Sequence, residues 1–315
     1  MNREKRHHKK KYFLKIDLGI KTVFPLWAFV TLLAGLVSCT KGTLDSPPDE
    51  GSAVIEVNWN GNGAPPTSGF HFYFYPQNGG DVLEFDASAT GFEGKLPAGT
   101  YRVIACSTDA RNVVYQGMES YSTASVRAQT DASSRATTYY TQPWGVYTLN
   151  LGQLVVSLNQ TTETVVIPDT LSKSINLEFS LQGAESIVDL KGLMRGVQPS
   201  VLISTKEPSG DAGITNFSAD VSGNQGQAQI SVLGILDPQG SLPYRNLMDL
   251  TMTLSDSSVR TTQIDLTELL SEALNTNEGN VPLEIPVEIE LKVIDNELVA
   301  NVKPWNPSSG QGSVK

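Results

Sequence analysis

The chain has 315 residues, with 23 Lys and Arg against 33 Asp and Glu and a formal charge of −10 at pH 7. An acidic balance of that kind argues against nucleic acid as a partner, because phosphates need a basic surface. Two cysteines leave no room for a disulfide framework. His7 and His8 lie in a leader whose layout predicts its removal, and His71 alone is too little for a histidine-rich zinc site.

The first segment sets the compartment. Residues 1–22 carry Arg3, Lys5, Arg6, Lys9, Lys10, Lys11, Lys15 and Lys21 against only Glu4 and Asp17. An apolar run of 15 residues follows, 23–37, broken by Pro25, Thr31 and Gly35. A basic head, a short apolar stretch and a small residue before a cut make the layout of a secretory signal. A spanning helix needs roughly 20 residues, so a permanent membrane span is the weaker reading. The run ends in Leu36-Val37-Ser38-Cys39, which resembles the lipobox of bacterial lipoproteins. The resemblance implies that residues 1–38 are a lipoprotein signal peptide, cut before Cys39, with diacylglycerol on the Cys39 thiol and a further acyl chain on the new amino group. One acyl chain holds a bilayer marginally, and two or more hold it firmly. Without residues 1–38, Lys and Arg fall from 23 to 15 and Asp and Glu from 33 to 31, a formal charge of −16. Lipid, not charge, would then hold the protein to a membrane.

Residues 39–51 contain Gly42, Ser46, Pro47, Pro48, Asp49 and Glu50, which bury nothing and predict a flexible tether. Beyond them, short runs rich in Val, Ile, Tyr, Phe and Thr predict strands at 53–59, 70–75, 101–107, 154–158, 175–181, 227–236 and 247–254. Gly79-Gly80-Asp81 is among the turn signals between them. His71 falls in one of these alternating strands. Cys106 falls in another and reads as a buried structural cysteine in preference to a reactive thiol. With Cys39 acylated, Cys106 has no disulfide partner.

Near the C-terminus, Asp265 precedes Leu266, Leu269, Leu270, Ala273 and Leu274, which share one face of a helical period. Asp265 and Glu268 have capping-box spacing. Val287, Ile289, Leu291 and Val293 then alternate with Glu288, Glu290 and Lys292, a strand with one buried and one wet face. Asp295-Asn296 supplies a turn, residues 298–303 return, and residues 309–315 form a loose tail. The sum is an all-β chain of two tandem antiparallel sandwiches, residues 52–162 and 163–308, with one short helix in the second. The boundary lies somewhere in residues 160–168.

Catalytic signatures are sparse. A Ser-His-Asp triad has only His71 to draw on. There is no GxxxxGK[ST] phosphate loop, no dinucleotide fingerprint and no EF-hand loop. Asp211 and Asp220 lie in a loop-rich stretch, 209–226. Close carboxylates are open to a glycosidase pair, but nothing local selects one. The reading is therefore non-enzymatic, with no catalytic residue, metal or cofactor. Trp59, Tyr73, Tyr75, Tyr139, Tyr140, Trp144, Tyr147 and Trp305 offer candidate faces for sugar rings, although strands and sandwich cores also claim aromatics.

Three stretches carry a wider likeness: Leu96-Pro97-Ala98-Gly99-Thr100-Tyr101-Arg102-Val103, the run Ile187 to Val197, and Lys303-Pro304-Trp305-Asn306. In these the chain is similar to the fimbrillin-like lipoproteins of Bacteroidia, the superfamily of FimB-type fimbrial anchor subunits. The resemblance implies transthyretin-like or Ig-like sandwiches, attachment to outer-membrane lipid through acylated Cys39, and fimbrial subunits as partners by strand donation. Shaft pilins of the family are trimmed after an arginine near their N-terminus. No arginine stands between Cys39 and Arg102, which favours a subunit that keeps its lipid. The alternative is a polysaccharide-binding surface lipoprotein of a glycan-uptake system, with glycans as partners. Asp169-Thr170-Leu171 also resembles the short O-glycosylation motif of these bacteria.

Overall fold

The structure is a computed structural model that describes residues 49–59, 65–131, 138–183, 185–235, 245–275 and 284–304, the last two side chains of the helix excepted. Alternating sequence becomes strand almost everywhere. In chain order these are β1 (Glu50–Val57), β2 (Phe70–Pro76), β3 (Leu83–Ala87), β4 (Gly91–Pro97), β5 (Gly99–Ser107), β6 (Val113–Gln116), β7 (Ser125–Ala128), β8 (Thr130–Asp131), β9 (Tyr139–Tyr140), β10 (Tyr147–Val156), β11 (Thr161–Val166) and β12 (Asp169–Thr170). Then come β13 (Lys173–Gln182), β14 (Ile187–Gln198), β15 (Ser200–Leu202), β16 (Gly213–Ser218), β17 (Asp220–Ser222), β18 (Gln225–Val232), β19 (Gly234–Ile235), β20 (Leu247–Leu254) and β21 (Val259–Asp265). Helix α1 (Thr267–Asn275) precedes the closing hairpin β22 (Glu284–Ile294) and β23 (Glu297–Val302).

Strand alternation decides the layers. Phe70, Phe72 and Phe74 point to one face of β2, where they meet Ala53, Ile55 and Val57 of β1 and Phe92 and Leu96 of β4. This core joins a three-stranded sheet, β11-β1-β4, to a five-stranded sheet, β12-β10-β5-β2-β3. The opposite face of β2 and β5 is not wet either. Tyr75, Ile104 and Cys106 pack there against Val126 of β7 and Val201 of β15, which belong to a third sheet, β15-β7-β6. The N-terminal half thus has three layers and two cores.

In the C-terminal half, a sheet ordered β17-β18-β13-β22-β23 packs on one ordered β21-β20-β14-β16-β9-β8. Ile175, Leu177, Phe179 and Leu181 face Leu190, Met194, Leu250 and Met252 across this core. Helix α1 adds Leu266, Leu269, Leu270 and Ala273 to it. The helix starts where expected, with the Thr267 N–H donating to Asp265 Oδ1 at 3.0 Å. Such a cap satisfies one of the orphan donors of the first turn. Most ladders are antiparallel, but β1–β11, β13–β22 and β16–β9 are parallel.

Three features differ from the sequence-based expectation. The stretch 209–226 contains β16 and β17 and is not mainly loop; Gly210, Gly213 and Gly223 disguise short strands as turns. Strand β1 opens at Glu50, inside the residues expected to be tether. Gly51 is what hides it, because a Cβ there would collide with the Ser157 carbonyl oxygen. The two halves also exchange strands. Tyr139 and Tyr140 of β9 pair with Ile214 and Thr215 of β16, and β15 pairs with β7. Residue 163 lies within β11, a strand of the first sandwich.

Candidate functional site

Leu36, Val37, Ser38 and Cys39 lie outside the described residues, as do Trp305 and the tail 309–315. The described chain begins at Asp49, inside the residues expected to be tether, and its first element is placed distinctively. Strand β1 is the middle strand of its sheet. It pairs in parallel with β11, from Ser52 opposite Thr161 to Val57 opposite Val166. On its other side it pairs antiparallel with β4, from Glu50 opposite Pro97 to Glu56 opposite Gly91. Hydrogen bonds extend both ladders. The Ala98 N–H donates to the Asp49 carbonyl at 2.6 Å, the Asn159 N–H to Glu50 at 2.9 Å, and the Asn58 N–H to Val166 at 2.8 Å.

Two glycines let the backbones approach. Gly51 sits against Ser157, and Gly91, at φ +128°, sits against the Ile55 carbonyl, where any Cβ would overlap. Inward, Ala53, Ile55 and Val57 are buried in the aromatic core. A pull on the chain from residue 39 would therefore load two ladders and a hydrophobic seal together. The sequence predicted a strand over 53–59, but not that strands from both sides flank it.

The only histidine of the chain beyond residue 8 is taken up structurally. His71 on β2 has Nδ1 2.6 Å from Asp86 Oδ1 and Nε2 3.1 Å from Glu84 Oε2, both on β3. Partial burial works against its charge, but the hydrogen bonds and charges of Asp86 and Glu84 outweigh this and raise its pKa above 6.5. Both ring nitrogens are engaged by carboxylates, so His71 has no free nitrogen for a triad serine. Cys106 is buried, and burial pushes its thiol well above the ordinary range, which makes a thiolate nucleophile costly there. The Thr170 hydroxyl is likewise buried, a poor acceptor for a glycosyltransferase acting on the folded chain. Among the described residues, no cluster of three His, Cys, Asp and Glu is placed to hold a metal ion. No helix among them is long and apolar enough to cross a membrane.

The aromatic residues do not form an exposed row among the described residues. Trp59 stacks on Phe70 at 5.9 Å, meets Tyr147 edge-on at 5.2 Å and donates its Nε1–H to the Ala89 carbonyl. Tyr73 and Tyr75 pack on the second core. Tyr140 is the exception, because it borders a polar cleft of about 410 Å³ with Gln116, Ser125, Arg127, Ser200 and Asp211. Arg127 donates to the Tyr140 hydroxyl at 3.1 Å and lies 5.8 Å from the ring centroid. Gly213 packs against the same ring. The cleft thus offers hydrogen-bonding groups more than an open aromatic platform. Sequence reasoning noted Tyr140 and Asp211 separately. It had no means of bringing them together with Arg127, because β9 and β16 meet only through the strand exchange.

Comparisons with known proteins agree with this architecture. A family model described as "Domain of unknown function (DUF5119)" matches residues 38–215. A Bacteroides ovatus protein named "Putative fimbrium anchoring subunit Fim4B" is 26% identical over 316 residues, covering 91% of this chain and 93% of that protein. Among solved structures, a "putative adhesin" from Bacteroides ovatus superposes with a TM-score of 0.61 at 20% identity, covering 84% of this chain and 95% of the other. The fimbrial anchor protein Mfa2 from Porphyromonas gingivalis superposes with a TM-score of 0.53 at 13% identity, covering 81% and 98%.

Proposed function

The chain belongs to the DUF5119 family, and we propose that it is a non-enzymatic subunit of fimbrial anchoring or adhesion, held to outer-membrane lipid through acylated Cys39. The observation that carries this reading is the seating of β1. A strand that begins eleven residues after Cys39 and is clamped on both edges suits a protein that transmits load to a lipid anchor. The absence of arginine from Cys39 to Arg102 supports retention of that strand and its lipid. The named relative, an anchoring subunit similar over nearly its whole length, supports the same role. Contacts with fimbrial subunits are proposed to run through β-strand addition, with two sandwich domains that divide after β11 and not within it.

The experiment is a Cys39→Ala substitution in a fimbriated cell. The variant should stay uncut or leave the membrane fraction, and fimbriae that depend on it should shed into the medium. A processed Cys39→Ala protein that still sediments with outer membrane would overturn the lipid anchor. The second reading, polysaccharide binding, has one observation in its favour, the polar cleft beside Arg127 and Tyr140. Titration of the protein with a glycan panel, followed by tryptophan fluorescence and calorimetry, separates the two. Heat of binding that vanishes in an Arg127→Ala variant would favour the glycan reading.

A further inference from the structure

We infer that the free edge of β11 is a docking site for an extended strand donated by a different protein, one that presents a basic and an apolar side chain two positions apart on one face. The inference deepens the anchoring proposal and rests on its premise of strand-mediated contact. It differs from the groove that β1 already fills.

An edge strand exposes alternate N–H and C=O groups that only another strand can pair in full, and proteins usually blunt such edges with lysine, proline, brevity or cover. Most edges described in this chain are blunted. Strand β3 is crossed by the charged trio His71, Glu84 and Asp86. Strand β4 bears Glu93 and Lys95 and is interrupted by Gly94. Strands β8 and β12 are two residues long, and β15 and β17 three. Strands β21 and β23, the edges of the two C-terminal sheets, run beside each other and are tied by Arg260 to Asn296 at 2.5 Å.

Strand β11 lacks these defences beyond its start, where the Thr162 hydroxyl donates to the Val155 carbonyl of β10 at 2.7 Å. It is six residues long and occupies the end of its sheet. Its sequence through Ile167 is β-branched at every position except Glu163, with no lysine, and Pro168 comes only after it. The two most exposed large apolar side chains of the described residues lie here, Val165 at 61% and Ile167 at 60%. They extend a β-propensity segment that natural edges avoid unless it is used.

The solvent face beside this edge sets the chemistry of the occupant. Val54 lies opposite both Glu163 of β11 and Glu93 of β4, and Glu56 is one step further along β1. Lys95 is the one cation on that face. A donated strand would therefore gain by setting a lysine or arginine opposite Glu163 and an apolar residue opposite Val165. A second copy of this chain fits less well. Two β11 edges paired antiparallel would also set the two β1 strands antiparallel, because β1 runs parallel to β11. Their tethers would then leave from opposite ends of the joint sheet, which opposes attachment to one bilayer.

The test uses the full lipid-anchored chain in cells that make fimbriae, with the photocrosslinker benzoylphenylalanine placed singly at positions 161, 163, 165 and 167, at 84 on β3 and 299 on β23, and at 259 as a control on another sheet. Crosslinked peptides are read by mass spectrometry. Strand addition requires that the four positions mark one segment of one fimbrial protein, stepping along it two residues at a time. A Val165→Lys change should lower crosslinking from position 163 on the order of tenfold, while the melting temperature stays unchanged because Val165 lies outside the core. Crosslinks without register, yields no higher than at position 259, or crosslinks to a second copy of this chain would each overturn the inference. If fimbrial proteins crosslink instead when the probe sits on β3 or β23, the β11 site falls and the anchoring proposal stands. If no edge crosslinks to a fimbrial protein, both fall.

Discussion

Replacing Ile55 with alanine tests whether β1 is a true core strand. Ile55 is 1% exposed and sits in the core with Phe72, Phe74 and Phe92. The substitution removes three carbons from an apolar site. At about 0.8 kcal/mol per buried methylene, the transfer loss is about 2.4 kcal/mol. Aromatic neighbours on two sheets collapse only partly into the space. A residual void of about 60 Å³, at about 24 cal/mol per Å³, adds about 1.4 kcal/mol. The total is about 4 kcal/mol, inside the range of about 2–5 kcal/mol seen for such truncations. At about 2–4 °C per kcal/mol for a domain of this size, the melting temperature should fall by about 8–15 °C. The assay is thermal unfolding followed by near-ultraviolet circular dichroism, with limited proteolysis to detect early release of β1. Val54, half-buried on the opposite face of the same strand, is the control, and its alanine variant should cost less than about 1 kcal/mol. An Ile55→Ala protein that melts within about 2 °C of the parent would refute the reasoning, because β1 would then contribute no core in solution.

Gly91→Ala should destabilise by at least about 2 kcal/mol, since it combines a backbone at φ +128° with overlap against the Ile55 carbonyl; the urea midpoint measures it, and Gly79→Ala, with open space around it, should cost clearly less. His71 carries a raised pKa through Asp86 and Glu84, so its ion pairs contribute fully below the ordinary value of 6.5 and are lost as pH rises through the raised folded value. The loss should stay under about 1 kcal/mol, because both carboxylates are well exposed; melting between pH 5.5 and 8.5 should show it, and His71→Asn should abolish it. Cys106 should resist a thiol reagent at pH 8 in the native protein and react on denaturation, and rapid native labelling would contradict its burial.

Much of the fold is legible in the sequence. The closing hairpin is the plainest case, since Val287, Ile289 and Leu291 alternate with charged residues and all three are buried. Asp295 and Asn296 adopt the positive φ that their turn demands. Helix α1 announced itself by its leucine face and its aspartate cap. Other elements were hidden for physical reasons. Strand β14, twelve residues long, carries Gly192 and Gly196 because Phe217 and Asn246 press on its backbone. Those glycines weaken the local strand signal and are explained only by residues far away in sequence. Tyr73, Tyr75 and Cys106 were legible as strand residues, but the third layer that covers them is built from short strands with no strong period. For the same reason the polar cleft and the bare edge of β11 were out of reach. Each depends on which strand lies beside which, and a single sequence records that only weakly.

The exchange of strands between the halves also orders the assembly of the chain during its synthesis. The first sandwich can close once residue 170 has emerged, but its outer sheet waits for β15 at residues 200–202 to pair with β7. Strands β8 and β9 wait longer, until β16 at residues 213–218 arrives to receive them. The second core of the N-terminal half lacks Val201 and Ile203 until β15 arrives, and Leu233 until later still. Pairings this distant in sequence fold slowly. The exposed face of β2 and β5 is therefore the surface that a chaperone would most need to shield while the last hundred residues follow.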